Sequence, residues 1–223
     1  MTLQAPLIKV EFHCHTTCSR DSSNRLPQLL DAARQRGFSR LAITDHNTIR
    51  AALRARELAP DLVVVGEEVL TTGGEILAYF LEEEIPARLS PMHTIERMRA
   101  QGAFIALPHP MDRRRHGFHP DVLLELLPHV DALEVFNARC LSRGLNQRAR
   151  EYALMHNMPI LAGSDAHSLV ELGLAFMELP AFNSAEELRA ALPCARINGR
   201  LLSPLEHFKA SSLIALGRLN PFK

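Results

Sequence analysis

Short β-branched or apolar runs alternate with helical patterns along nearly the whole chain, and this restricts the fold more than any other feature. Strand-like runs fall at residues 7–12, 41–44, 62–65, 75–81, 103–107, 132–136, 159–162 and 174–179. A continuous apolar run such as Leu62 to Val65 suits a strand covered on both faces. Helical patterns lie between them, over residues 25–36, 49–58, 90–101, 121–127 and 143–156. Another begins at Ser184 with Glu187 three residues on, and a tail helix is expected over 204–219. Asn24 reads as the cap of the first helix and Gly37 as its stop. The turn at 71–74 pairs residues 75–81 as a hairpin with Val69 and Leu70. The alternation predicts an α/β fold with a largely parallel sheet, a barrel of about seven βα units, with a doubly wound open sheet as the alternative.

Length and charge narrow the function classes. A chain of 223 residues buries about 70% of its unfolded surface and needs no staples, and one domain is expected over 1–223. Hydrophobic residues at 47% and charged residues at 22% exclude a disordered chain. Lysine plus arginine equal aspartate plus glutamate at 25 each, which argues against a long-range grip on nucleic acid. No apolar run reaches the length of a membrane span and no signal pattern opens the chain. Four scattered cysteines suit a reducing cytoplasm, the expected location, and Cys140 and Cys194 are expected to be buried small residues.

The chemistry-bearing residues stand just after the strand-like runs. His13 and His15 follow the first, Asp45 and His46 the second, and Glu67 and Glu68 the third. His109 sits in Pro108-His-Pro110, Asn137 ends the next strand, and Asp165 and His167 follow the last. In a barrel those positions share one rim, where active sites form. Strand side chains alternate faces, so His13 and His15 point together and Cys14 away. With Asp21, and with Glu68 alone counted of the glutamate pair, the imidazoles and carboxylates number nine, enough for two or three divalent ions. Nitrogen and oxygen donors without thiolate suit Zn²⁺, Mn²⁺ or Fe²⁺ equally. Such ions make hydroxide available near neutral pH and clamp phosphoester oxygens. Any one of these histidines alone would be read as an ordinary surface or core residue; their common position after successive strands carries the inference. Asp45 either ligates an ion or orients a ligand. His93, His119, His129, His156 and His207 fall away from the strand ends and are read as surface residues.

These segments also resemble a known family. Glu11-Phe-His-Cys-His-Thr16, the run 19–22, Ala42-Ile-Thr-Asp-His-Asn47, Pro108-His-Pro110 and Ala162-Gly-Ser-Asp-Ala-His167 are similar to motifs of the PHP (polymerase and histidinol phosphatase) superfamily. The resemblance covers about 8–178. It implies a distorted (β/α)7 TIM-like barrel, two or three metal ions, and phosphoester hydrolysis by hydroxide attack. By position it implies His13, His15, Glu68 and Asp165 at one ion, Glu68 bridging to a second held by His109, and Asp21, His46 and His167 at a third. Asp21 stands where some members carry histidine, and Asn137 lies near where some supply another.

Arg114, Arg115 and Arg139 are candidate phosphate grips, because guanidinium forks match phosphate oxygens, and His116 is a candidate proton donor to the leaving group. Arg113 belongs to the same loop. The expected partner is a small phosphorylated substrate, a nucleotide, sugar phosphate or histidinol phosphate. A metal-dependent amidohydrolase and a non-catalytic metal-binding module are the rival readings. The tail helix, with Leu205, Phe208, Leu213, Ile214 and Leu216, is expected to pack on the barrel.

Overall fold

A computed structural model describes residues 6–218. Seven strands curl into a nearly closed barrel: β1 (Leu7–Cys14), β2 (Arg40–Ile43), β3 (Val63–Leu70), β4 (Glu75–Tyr79), β5 (Phe104–Leu107), β6 (Ala132–Asn137) and β7 (Ile160–Gly163). They are hydrogen-bonded in sequence order. All neighbouring pairs run parallel except those of β4, which is antiparallel to both β3 and β5. The β3–β4 hairpin pairs Val69 with Ile76 and Leu70 with Glu75, the pairing the turn predicts. Closure comes at the top of β1, where Asp165 N–H donates to the His13 carbonyl and Cys14 bridges Ala166. The lower half of β1 turns instead to β8 (Ala175–Pro180), which pairs with it antiparallel, and β9 (Arg196–Gly199) adds to β8.

Helices α1 (Leu26–Gln35), α2 (Arg50–Leu58), α3 (Pro91–Ala100), α4 (Pro120–Leu126) and α5 (Arg143–Met155) follow their strands; α6 (Ala185–Ala191) and α7 (Pro204–Arg218) complete the described chain. The core has two layers. An outer one packs helix residues such as Leu29 and Ala52 on Leu41, Ile43, Val65 and Leu107. The inner one, with Phe12, Leu77, Tyr79, Phe104 and Leu161, plugs the barrel below its mouth. Tyr79 keeps its hydroxyl bonded there to the Phe12 carbonyl at 3.0 Å. Gly163 is required by geometry: a Cβ on it would meet the His13 Cβ at 2.4 Å, so only glycine lets β7 approach β1.

Three local expectations are corrected, and one strand was not anticipated. The cap of α1 is Arg25 without a side-chain bond, because the Asn24 amide donates instead to the carbonyls of His15 and Ala166. Strand β9 has no sequence signal, being a short half-exposed edge. Cys194 is exposed, whereas Cys140 is buried as expected. Helix α7 buries Ala210 and Ile214 and leaves Leu205, Phe208, Leu213 and Leu216 exposed; the expected end at Leu219 lies outside the described residues.

Candidate metal centre

A register shift in β1 between Glu11 and Cys14 lets His13 face the barrel mouth directly above Phe12. His13 Nε2 lies 3.3 Å from Glu68 Oε1 and 3.7 Å from Asp165 Oδ1. His15 Nε2 lies 3.5 Å from Glu68 Oε2 and 3.2 Å from the same Asp165 oxygen. On the other side of Glu68, His109 Nε2 is 3.1 Å from Oε1, and His46 Nδ1 is 3.0 Å from Oε2. Asp21 Oδ2 stands 3.3 Å from His167 Nε2 and 3.5 Å from His46 Nε2. Donors bound at about 2.0–2.2 Å to one ion are about 3–3.6 Å apart, the spacing seen here. His13–His15–Glu68, His13–His109–Asp165 and His15–His46–His167 each bring one donor atom apiece within 4.8 Å of one another.

The donor atoms also fail to satisfy one another. His13 Nε2, His15 Nε2 and Asp165 Oδ1 are buried without a hydrogen bond. An orphaned buried polar atom costs about 1–3 kcal/mol, and three converging on one point fit a cation bound between them. The backbone is bent to present them, since His109 (φ 31°) and Asp165 (φ 55°) occupy the left-handed region that non-glycine residues avoid.

A surrounding shell fixes the imidazoles. Glu134 Oε1 lies 3.0 Å from His13 Nδ1, which turns Nε2 inward. Its Oε2 accepts the His109 N–H at 2.8 Å and the Asn137 amide at 2.9 Å. Asp45 stands one step back: its carboxylate accepts the Thr16 N–H, the Thr16 hydroxyl and the Ser19 hydroxyl at 2.6–2.7 Å. Ser19 Oγ is in turn 3.3 Å from His15 Nδ1. Of the two sequence alternatives for Asp45, the geometry favours orienting over ligating. Glu67 points away, accepting the Ile85 N–H on the far side of β3.

The electrostatics follow from burial and crowding. Burial opposes charging of His13, but the carboxylates of Glu68 and Glu134 outweigh it and push His13 up to about 10. Burial also opposes charging of His46, and Asp21 and Glu68 push it up to about 10. Burial and the neighbouring imidazoles hold His15 well below the usual range, and burial lowers His167 to about 4. Burial favours protonation of Glu68, yet His13 and the surrounding hydrogen bonds hold it well below the usual carboxylate range. Burial, joined by the charge of Glu68, pushes Glu75 up to about 8.

Arginines and imidazoles together line a cavity of about 210 Å³, bounded by Asp21, His46, Glu68, Glu75, Arg114, Arg115, His116, Arg139 and His167. Arg115 pairs with Asp165 and donates to Asn137 Oδ1 at 3.0 Å. Arg139 Nε pairs with the buried Glu171 at 3.0 Å. Glu171 Oε2 also accepts the His167 N–H and the Ser168 hydroxyl at 2.9 Å. All eight expected ligand positions therefore gather at one mouth, with Arg114, Arg115, Arg139 and His116 beside them. Sequence reasoning missed Glu134, Glu171, Ser19 and Glu75. Ser19 lay inside the motif-like run 19–22 without a role assigned to it, and Glu134 left the signal of a lone carboxylate inside an apolar strand.

The model of the PHP domain matches residues 11–96, and that of a PHP-associated segment matches 143–197. An uncharacterized protein of Methanocaldococcus jannaschii is 37% identical over 180 residues, 79% of this chain and 72% of its own length. The phosphoribosyl 1,2-cyclic phosphate 1,2-diphosphodiesterase of Eggerthella lenta is 39% identical over 100 residues, 40% of this chain and 38% of that one. Among solved structures, a two-domain Bacteroides vulgatus protein titled as containing a "predicted PHP-like metal-dependent phosphoesterase" has a TM-score of 0.73 at 19% identity. That match covers 93% of this chain and 70% of that one, a likeness of fold. With both models matched in order and the archaeal relative aligned along most of each chain, this protein belongs to the PHP family.

Proposed function

We propose that the protein is a metal-dependent phosphoesterase that hydrolyses a small phosphomonoester, with two or three divalent ions held by His13, His15, Asp21, His46, Glu68, His109, Asp165 and His167. The observation that carries this reading is one cavity lined both by imidazoles and carboxylates and by Arg114, Arg115 and Arg139. Divalent ions bound there would supply a more acidic water and charge to balance phosphate oxygens. The chain's own residues do the rest. Glu171 holds Arg139 by Nε and leaves its terminal nitrogens for a phosphate oxygen. Asn137 and Asp165 hold Arg115 at the same mouth. His116 is exposed at the rim, where an imidazolium can hand its proton to a departing alkoxide.

A groove of about 820 Å³ adjoins this cavity through Arg114 and Arg115, and adds Met111, Arg113, Leu141, Leu145 and Arg148. Apolar walls with a basic edge suit a leaving group of nucleoside size, so nucleotides are favoured over the smallest sugar phosphates. The same groove supports a second reading, cleavage of a phosphodiester, the bond named in the activity of the Eggerthella lenta relative. The test is phosphate release from nucleotides, sugar phosphates and histidinol phosphate, with cyclic and linear phosphodiesters beside them. Each is assayed with Mn²⁺, Zn²⁺ or Fe²⁺ and with chelator. Metal-dependent release of inorganic phosphate that Asp165→Ala abolishes supports the monoesterase. Cleavage confined to diesters moves the reading to the second. Turnover of neither class with any metal overturns both and leaves the amidohydrolase or the non-catalytic module.

A further inference from the structure

Helix α5 borders a second cavity, apart from the metal centre. Arg143, Asn146, Gln147 and Arg150 are spaced i, i+3, i+4 and i+7, so they share one face of the helix. That face lines a pocket of about 390 Å³ together with Val135 and Phe136 of β6 and residues 199–201 at the end of β9. Small-ligand pockets hold about 300–1,000 Å³. The pocket shares no lining residue with the cavity at the metal centre.

Its charge is of one sign. Arg143, Arg150 and Arg200 line it, and no aspartate or glutamate does. Arg200 is spent on Glu206, with Nη1 and Nη2 at 2.8 and 2.6 Å from the two carboxylate oxygens. The guanidiniums of Arg143 and Arg150 make no hydrogen bond and no ion pair among the described residues. The neutral polar groups are engaged elsewhere. Asn146 exchanges two bonds with the Asn137 backbone, at 3.1 and 3.0 Å, and Gln147 donates to Glu151 at 2.9 Å. What the pocket offers a ligand is therefore two unpaired guanidinium forks, on Cα atoms about 10 Å apart along the helix axis and each matched to phosphate oxygens.

The rest of the lining is apolar. Phe136 is the half-buried residue of an otherwise buried β6, and Val135 and Leu201 line the pocket with it. Gly199 holds the ring in place: a Cβ there would meet Phe136 Cε1 at 2.7 Å and Cδ1 at 3.0 Å, so only glycine lets β9 end against the ring. A fixed, partly exposed phenyl ring in a pocket suits a flat aromatic ligand.

We propose that this pocket is a second ligand site that takes a mononucleotide, with the phosphate on Arg143 and Arg150 and the base against Phe136. The ligand is held and not hydrolysed there, since none of the metal-site residues lines the pocket. The site stands whether or not the metal centre is a phosphoesterase.

The test measures binding, not turnover. Full-length protein stripped with chelator is titrated by calorimetry, at physiological ionic strength, with AMP, ribose 5-phosphate and adenosine. AMP is expected to bind. Arg143→Gln and Arg150→Gln in one chain are expected to weaken it by about 10-fold or more. Ribose 5-phosphate lacks the ring for Phe136 and adenosine lacks the phosphate, so each is expected to bind about 10-fold or more weaker than AMP. Arg139→Gln, at the metal centre, is expected to leave the affinity within twofold. Thermal melts show whether each variant is folded; if the double variant is not, Arg150→Gln alone, at an exposed helix position, decides by the same loss. AMP affinity within twofold of wild type in the folded variant overturns the proposal. So does ribose 5-phosphate binding as tightly as AMP, loss of AMP binding in Arg139→Gln instead, or a wild-type chain that binds no AMP.

Discussion

Replacing Glu134 by glutamine tests how much of the metal site is built by residues that never touch the ion. The carboxylate has three partners: Oε1 faces His13 Nδ1 at 3.0 Å, and Oε2 accepts from His109 N–H and Asn137 Nδ2. A glutamine has one acceptor oxygen. With two fixed donors at the Oε2 end, its amide NH₂ must turn toward His13 Nδ1, and that nitrogen then has to accept. The proton moves to Nε2, the atom that stands 3.3 Å from Glu68 and 3.7 Å from Asp165 and that a cation would need. Restoring the ligating tautomer leaves an amide donor against an N–H. Loss of such an outer partner weakens metal binding by about 10–100-fold, or ~1.4–2.7 kcal/mol. Calorimetric titration of Mn²⁺ and Zn²⁺ into stripped Glu134→Gln and wild-type protein reads this directly. Glu134→Asp, which keeps the charge, should lose less than the glutamine. Affinities within twofold of wild type in a folded Glu134→Gln protein would refute the reasoning, because His13 would then need no partner to set its tautomer.

Three further outcomes are expected. Burial pushes Glu67 up to about 8 from an ordinary 4.5, so the unfolded chain ionises first and stability falls as pH rises from about 4.5 to 8. Glu67→Gln keeps the acceptor for the Ile85 N–H and should remove a few kcal/mol of that fall, seen in urea melts as a gain at pH 8 and none at pH 4; a parallel pH profile would count against it. Gly163→Ala puts a Cβ into the His13 Cβ, and forcing β7 from β1 should cost about 1–3 kcal/mol in the same melts; a variant as stable as wild type would show that the closure is loose. Arg139→Lys keeps a charge beside Glu171 but loses the guanidinium fork, so kcat/KM for the substrate found above should drop about 10-fold or more with metal content unchanged; equal kcat/KM would remove Arg139 from the phosphate grip.

The parts of this protein legible in sequence are those governed by short-range periodicity. Alternation along a strand predicts that His13 and His15 face one way and Cys14 the other, and the structure agrees, with Cys14 in the outer core. The turn at 71–74 announces the β3–β4 hairpin and thereby the barrel strand that runs against its neighbours. What escaped is set by partners far away in the chain. Glu134 is 121 positions from His13, and nothing near it says that a carboxylate in an apolar strand is the orienting group of an imidazole. Asn24 shows the competition directly: its sequence neighbours make it a helix cap, but two carbonyls at the barrel closure take its amide. The exposed apolar positions of α7 fail for the opposite reason, since helical spacing reports which residues share a face and not whether a neighbour covers it.

Asn137 joins these two kinds of information. Its place after β6 marks it as a rim residue, yet its role follows only from the four groups it binds. One end of the amide holds Glu134 and Asp165, which face the imidazoles; the other holds Arg115 and the Arg139 backbone, which face the substrate side. A histidine at this position would offer a donor to an ion but could not accept from two arginine-bearing segments while donating to two carboxylates. The asparagine thus offers no imidazole and instead ties the carboxylates of Glu134 and Asp165 to the two arginine-bearing segments beside them.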